Sequence, residues 1–370
     1  MKYIGYIFFL SLCSCSPKVH EGIHKTKALP EVVSSSSKHK NVIFIIGDGM
    51  GLAQVTASMY TTDVPLALER CKAIGIHKSY AANDLITDSA AGATAFSVGK
   101  KTNNGYLGMD TLGRSEETIL EEASRKGWGT GLVVTSTIVH ATPAAFVAHN
   151  KNRDAYEEIA IDILDSGCDI MIGGGQKYFN RRTIDTLDLI SALWKKDYLV
   201  ADYFANDYND YQIPDVKKFI YFTADGDPLP ASMGRNYLSK ASIDAVNFLD
   251  KKNQNFFLMI EGSQIDWGGH SNEITYVMEE MKDFNTMLNK VLDWAQKDGN
   301  TLVVITGDHE TGGLSILPGS KKGKLMTHFS TTKHTACLIP VYAFGPGAEE
   351  FAGIYENTEI YFKLKQAMRL

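Results

Sequence analysis

Six short, almost wholly apolar runs punctuate the chain, at residues 41–46, 131–135, 169–172, 256–260, 301–306 and 338–344. Runs of this length, bounded by turn residues and lacking a polar alternate, predict strands buried on both faces. Pro340 has no N–H to give a ladder, so it predicts either a later start for the last strand or a place at a sheet edge. Between the runs the period changes. Ile274, Val277, Met278, Met281, Phe284, Leu288, Val291, Leu292 and Ala295 recur at helical spacing, and Asp298-Gly299 ends that helix just before the strand at Thr301. Ser115 reads as the cap of a helix through Arg125, with Glu116 and Glu117 near its positive end and Gly127 beyond its close. Alternating strands and helices predict an α/β fold: a three-layer αβα sandwich with a largely parallel central sheet, built as a single domain. The stretch 176–236 is irregular and tyrosine-rich; it reads as surface insertions. No internal repeat is visible.

The first forty residues do not share this pattern. Met1 and Lys2 precede an apolar stretch from Tyr3 to Leu12, too short to span a bilayer and the size of a signal-peptide core. It ends in Leu12-Cys13-Ser14-Cys15, which resembles a bacterial lipoprotein processing site. Cys15 is the better anchor, with Ser14 before it; Cys13 would place bulky Leu12 at the cleavage position. The plainer alternative is secretion with cleavage nearby. Residues 16–40, with the serine run Ser34 to Ser37, read as a polar tether that buries nothing. The expected division is therefore 1–15 leader, 16–40 tether and 41–370 folded domain, in an exported protein of the periplasm or cell envelope.

Composition narrows the partners. A net charge of −6 and a pI near 5.9, with no long basic run, argue against nucleic-acid binding. Cys71, Cys168 and Cys337 are too few and too widely spaced for a disulfide framework or a CxxC zinc site. Cys168 and Cys337 lie beside predicted strands and read as buried, inert thiols.

The chemistry gathers where strands end. The run 41–46 leads into Gly47-Asp48-Gly49-Met50-Gly51, 256–260 into Glu261-Gly262-Ser263-Gln264-Ile265-Asp266, and 301–306 into Gly307-Asp308-His309-Glu310. Metal ions need carboxylates and imidazoles converging from several elements, and the carboxyl ends of neighbouring strands supply that convergence. One acidic turn ordinarily just caps a helix; three, with His270 one helical turn after Asp266, form a pattern. The segment Thr87-Asp88-Ser89-Ala90-Ala91-Gly92-Ala93-Thr94 places Asp88 as a cap and Ser89 in the first turn of a helix of small residues. Such an end favours an anion and lets other groups approach closely, although an Asp-Ser pair before alanines usually means capping alone.

Together these motifs resemble the alkaline phosphatase family. Ile86 to Thr94 resembles its active-site signature, and Gly47 to Gly51, His140-Ala141-Thr142-Pro143-Ala144-Ala145, Glu261 to His270, Asp308-His309-Glu310-Thr311-Gly312-Gly313 and His334-Thr335 follow in the same order. Gly173-Gly174-Gly175 also resembles a family segment. The resemblance implies hydrolysis of phosphate monoesters through a phosphoserine at Ser89, with two zinc ions and one magnesium, and a possible homodimer. It further implies Asp266, His270 and His334 at one zinc, Asp308 and His309 at the other, and Asp48 bridging that second zinc and the magnesium. Thr142 and Glu261 match magnesium ligands, and Arg153 the arginine that grips phosphoryl oxygens.

Two positions depart from the enterobacterial form. His140 stands where that form has an aspartate near the magnesium, and Trp267 where it has a lysine that contacts phosphate indirectly. Imidazole suits zinc better than magnesium, so the occupant of the third site stays open. Trp267 either loosens the hold on phosphate or packs over the site rim. His20, His24 and His39 fall in the tether; His77 and His149 read as structural. His328 is set aside for His334, which the strand and Gly345-Pro346-Gly347 follow as in the family. Glu310 is expected to orient a ligand. Two other classes of reading remain, the first being another member of the same metal-site superfamily: a phosphodiesterase, a sulfatase or a phosphomutase. A sulfatase would need a Cys/Ser-x-Pro-x-Arg setting that Ser89 lacks, and a superfamily phosphodiesterase typically uses threonine. A non-catalytic binding lipoprotein is the reading from a different class.

Overall fold

The computed structural model describes residue 1 and residues 41–370 apart from Asp63 and Asn253; the leader, the Cys15 processing site and the tether lie outside the described residues. The strands are β1 (Asn41–Gly47), β2 (Ala73–Lys78), β3 (Gly129–Thr137), β4 (Ile170–Gly174), β5 (Tyr198–Asp202), β6 (Lys218–Phe222), β7 (Phe256–Gly262), β8 (Thr301–Gly307), β9 (Glu310–Thr311), β10 (Leu314–Ile316), β11 (Thr327–Phe329), β12 (His334–Thr335), β13 (Ile339–Phe344) and β14 (Gly353–Glu356). Ten of them form one sheet in the order β14-β2-β13-β8-β1-β7-β3-β4-β6-β5, while β10 pairs with β11 and β12 with β9. Within the large sheet only β13 runs antiparallel to its neighbours.

The apolar runs become strands because both of their faces find a core. Val42, Phe44 and Ile46 of β1 enter one hydrophobic cluster; Ile43 and Ile45 enter the other. The first is closed by the helices Ser89–Val98, Ile119–Arg125, Tyr156–Ile163 and Thr358–Met368, the second by Leu52–Thr61, Leu238–Asp250 and Ile274–Asp298. This is the expected three-layer α/β arrangement. Phe44 meets Phe96 edge-on with ring centroids 5.5 Å apart, which ties the Ser89 helix to the central strand. Burying one such side chain contributes roughly 1.5–3 kcal/mol. The register sets the site: Gly47 of β1 stands level with Gly262 of β7 and with Gly307 of β8. The residues around those glycines therefore emerge side by side.

Several expectations are corrected. Thr118, not Ser115, caps Ile119–Arg125: its hydroxyl accepts from Glu121 N–H at 3.2 Å and Glu121 accepts from Thr118 N–H at 2.9 Å. This reciprocal box needs a threonine followed three residues on by glutamate, a spacing that Ser115 lacks. The region 176–236 is not merely surface insertion; it supplies β5 and β6, which extend the sheet beyond β4. Pro340 is not at an edge, since β13 lies between β2 and β8. Pairing with β8 starts at Val341, so the missing N–H costs no bond on that side, and Pro340 C=O accepts from Thr306 Oγ1 at 3.0 Å. Cys337 is exposed because it precedes the start of β13, whereas Cys71 and Cys168 are buried. His77 and His149 have the structural roles expected. Nε2 of His77 lies 3.0 Å from Gly307 O, and His149 lies between Gly108 O and Glu121.

Candidate active site

Asp48 leaves β1 and turns at once. Gly49 has φ +73°, and a Cβ there would lie 2.7 Å from the Asp266 backbone, so the turn and the Asp266 helix close only over glycine. Gly49 N–H donates to Asp308 Oδ1 at 3.1 Å, which joins the ends of β1 and β8. From the next strand, Glu261 sits inside the end of β7, and the helix Gln264–His270 follows with Asp266 and His270 one turn apart.

Ser89 is the first residue of the helix Ser89–Val98, and Asp88 is its cap. Asp88 Oδ1 accepts from Ala91 N–H at 2.9 Å; Oδ2 accepts from Gly105 N–H at 2.9 Å and from Arg153 Nη1 at 3.2 Å. The capping residue thus also aims the guanidinium. Small residues matter on this helix: a Cβ on Gly92 would lie 3.3 Å from Asp308 Cβ. Ser89 Oγ ends 3.4 Å from Asp48 Oδ2 and 3.3 Å from His309 Nε2.

The titratable groups fall into three interlocking sets: Asp266, His309 and His334; Asp48, Asp308 and His309; Asp48, His140 and Glu261. In each set one ligand atom per residue lies within 4.8 Å of the others. His270 joins the first set, with Nε2 3.3 Å from Asp266 Oδ2 and 3.0 Å from His334 Nε2. Nδ1 of His270 lies 2.7 Å from Thr332 O, and Nδ1 of His334 lies 2.8 Å from Thr87 O. A carbonyl only accepts, so in the neutral rings the proton is assigned to Nδ1. Two bare Nε2 lone pairs then face each other, which is unfavourable unless a cation lies between them.

The carboxylates tell the same story. Asp48, Asp308 and Glu261 are fully buried, and Asp48 Oδ1, Asp308 Oδ2 and Glu261 Oε1 accept no hydrogen bond. Burial, then the neighbouring carboxylates Asp308, Asp266 and Glu261, push Asp48 well above its ordinary range. Burial raises Glu261 to about 8, although the hydroxyls of Ser263, Thr142 and Ser136 pull it down. Burial also raises Asp308, to about 7. Of the carboxylates at the site, Asp266 is the one held below its range: burial opposes its ionisation, but the His270 imidazole beside it, then those of His309 and His334, outweigh it. His140 is buried, carries an unpartnered Nδ1 and is kept neutral by burial, at about 3. Uncompensated buried carboxylates cost several kcal/mol each, so the pocket is built for cations that a single arginine cannot replace.

The structure therefore brings together Asp48, Ser89, His140, Thr142, Arg153, Glu261, Asp266, His270, Asp308, His309 and His334, and places Trp267 beside His140, edge-on at 6.1 Å. Glu310 touches other groups: it accepts from Gln54 Nε2 at 2.8 Å, from Gly313 and Leu314 N–H, each at 3.2 Å, and from Thr335 Oγ1. It thereby fixes the strand that carries His334. Sequence reasoning overlooked Thr311, whose hydroxyl donates to Asp266 Oδ1 and lies 3.2 Å from His309 Nδ1. The signal was available, since residues two apart in an extended segment share a side. Asp88 had been read only as a cap.

Comparison with known proteins agrees with this geometry. The family model described as "Alkaline phosphatase" matches residues 39–326, a span that ends short of His334. Alkaline phosphatase 3 of Bacillus subtilis is 32% identical over 99% of this chain and 96% of its own length. The alkaline phosphatase of Escherichia coli is 27% identical over 94% of this chain and 89% of its own. Among solved structures, alkaline phosphatase from the Antarctic bacterium TAB5 superposes with a TM-score of 0.84 at 40% identity, covering 90% of this chain and 99% of that one. Mutants of that enzyme with a histidine replaced by glutamate or aspartate are described with Mg bound in the M3 site. With a match of this extent laid over a serine, an arginine and three metal-competent clusters at the carboxyl end of the sheet, the chain belongs to the alkaline phosphatase family.

Proposed function

We propose that this chain hydrolyses phosphate monoesters through a phosphoserine at Ser89, in a centre that takes two zinc ions and a neighbouring magnesium. The observation that carries the reading is the position of Ser89 Oγ. It stands at a helix N-terminus within 3.4 Å of both Asp48 and His309, in a site whose buried oxygens on Asp48, Asp308 and Glu261, and Nδ1 of His140, lack hydrogen-bond partners. Those unpartnered atoms fit cations. Asp266, His270 and His334 offer the nitrogen-rich set that suits zinc, and Asp48, Asp308 and His309 offer a second. Asp48, Thr142 and Glu261 offer the oxygen set that suits magnesium, with His140 as the dissonant neighbour. When bound, such ions supply Lewis acidity and neutralise charge on the transferring phosphoryl group and the oxygens on either side of it.

The chain's own residues do the rest. Arg153 presents a planar fork to two phosphoryl oxygens, and its bond to Asp88 holds that fork toward the helix end. Ser89 Oγ forms the new bond to phosphorus in line with the departing alcohol; water then cleaves the phosphoserine and restores the hydroxyl. Most of the acceleration is positioning and electrostatics. Two residues tune the pocket: Trp267 brings no ammonium where the enterobacterial form has a lysine, so product release is expected to be faster, and neutral His140 weakens the hold on magnesium.

Location is part of the proposal. The leader 1–15 exports the chain, Cys15 anchors it and 16–40 acts as tether to the catalytic domain 41–370. No helix among the described residues is long and apolar enough to cross a membrane. Mass spectrometry of the envelope-bound protein checks the anchor: a lipidated Cys15 supports it, and an unmodified terminus elsewhere refutes it. The activity is checked by hydrolysis of an aryl phosphate monoester against the matching diester, with zinc and magnesium supplied. Preference for the monoester is expected; preference for the diester would move the chain to another branch of its superfamily.

A further inference from the structure

Gln264 is wholly buried two residues before Asp266, and every polar atom of its side chain is engaged across element boundaries. Its Nε2 donates to Thr135 O at 2.8 Å and to Pro228 O at 3.0 Å, and its Oε1 accepts from Tyr276 OH at 2.7 Å. Thr135 lies near the end of β3, whose chain continues into the turn that carries His140 and Thr142. Tyr276 belongs to the long helix Ile274–Asp298, and Pro228 to the loop after β6. The neighbouring Ser263 adds two contacts of the same kind: its N–H donates to Thr135 Oγ1 at 2.8 Å, and its hydroxyl lies 3.1 Å from Ser136 Oγ.

We propose that Gln264 is a positioning residue, whose carboxamide fixes the helix carrying Asp266 and His270 against the end of β3 and thereby sets the first zinc site relative to the turn that bears His140 and Thr142. The inference rests on the zinc reading given above. A carboxamide is suited to this post because it donates twice and accepts once or twice without bringing charge. Both carbonyls it meets belong to buried residues, Thr135 near the end of β3 and Pro228 in the loop after β6. Without the carboxamide, Gln264's own helix keeps its apolar packing through Ile265 but loses the polar contacts that define its rotation. Removing a group that bonds a metal ligand directly typically costs about 10–100-fold in metal affinity or activity; Gln264 acts one contact further out, so the low end of that range is expected.

The test uses the full chain loaded with zinc and magnesium. Gln264→Met keeps the side-chain volume and removes all three bonds; Tyr276→Phe removes only one. Three quantities are read: the rate at which a chelator strips zinc, kcat and KM for an aryl phosphate, and the Tm of the zinc-loaded and metal-free chains. Gln264→Met is expected to release zinc about tenfold faster and to lower kcat about tenfold, with KM within about twofold. The zinc-induced rise in Tm shrinks. Tyr276→Phe moves zinc release the same way by about threefold. A purely structural residue would instead lower both Tm values together and leave zinc release and kcat unchanged; that result overturns the proposal. Should Gln264→Met fail to fold, unchanged zinc release and kcat in Tyr276→Phe overturn it. His334→Ala, run alongside, separates the premises: if that variant keeps its full zinc complement, the zinc-site reading fails and the positioning role with it.

Discussion

The two ends of the site solve the problem of buried charge differently. At the rim, Asp266, His270 and His334 combine one carboxylate with two imidazoles whose Nδ1 atoms are engaged by the carbonyls of Thr332 and Thr87. Asp266 stays ionised there, and His270 remains part-exposed. At the deep end, Asp48, Glu261 and His140 are all buried; both carboxyls are raised, His140 is kept neutral, and each residue has an atom with no hydrogen-bond partner. The rim is a nitrogen-rich set already oriented by the backbone. The deep end is an oxygen-rich set that depends on a cation for its stability. On the proposed reading, the donor types of the two ends would sort a softer ion from a harder one, with His140 as the residue that blurs the division.

The comparison breaks most visibly at the rim. Replacing His334 by Ala removes one of the two facing imidazoles. It is expected to lower kcat/KM for a phosphate monoester by about 100-fold or more, with one zinc lost per chain by elemental analysis. A variant that keeps both its zinc and its activity would remove His334 from the site.

A smaller effect sharpens the deep end. His140→Asp exchanges a neutral imidazole for an oxygen donor, and magnesium affinity read by calorimetry is expected to rise about tenfold. The rim's zinc content should not change. If magnesium affinity is unaltered, His140 lies too far from the ion to matter.

The smallest effect is a pH dependence of the metal-free chain. Glu261 and Asp308 are raised to about 8 and about 7, and Asp48 is raised as well. A carboxyl whose folded pKa is raised binds more protons folded than unfolded, so stability falls as pH rises toward that pKa. Below pH 6.5 the histidines pushed down by burial, His77, His140, His309 and His334, act in the opposite direction. Between about pH 6.5 and 8 that opposition fades as these histidines lose their protons in the unfolded chain too, and the raised histidines His149 and His270 reinforce the fall. The Tm of the metal-free chain should therefore drop by several degrees across that window, while the metal-loaded chain holds steady. A flat metal-free profile would mean that the deep carboxylates are not crowded as described.

Much of this was legible in the sequence because the central strands are buried on both faces and end together. The continuous runs that became β1, β7 and β8 show no polar alternate, and each passes through glycine beside an acid. Where a strand is short or flanked by charge the signal fails: β6 opens with Lys218 and β2 alternates buried with exposed positions. Ser115 reads as a cap because the glutamates beside it imitate a helix start, whereas the reciprocal spacing of Thr118 and Glu121 decides the cap. Gln264 and Thr311 escaped notice for another reason. Gln264 bonds carbonyls of Thr135 and Pro228, and Thr311 the carboxylate of Asp266, all distant in the chain, and apart from the Thr311–His309 spacing no local pattern announces those partners.

The most direct test traps the covalent intermediate. The zinc- and magnesium-loaded chain is mixed with an aryl phosphate, quenched in acid and digested, and the added phosphate is located by mass spectrometry beside a Ser89→Ala control. Phosphate on Ser89, with monoester turnover falling by at least about a thousandfold in the control, is the result expected of this site. Phosphate on a different residue, or turnover that persists in Ser89→Ala, would contradict it.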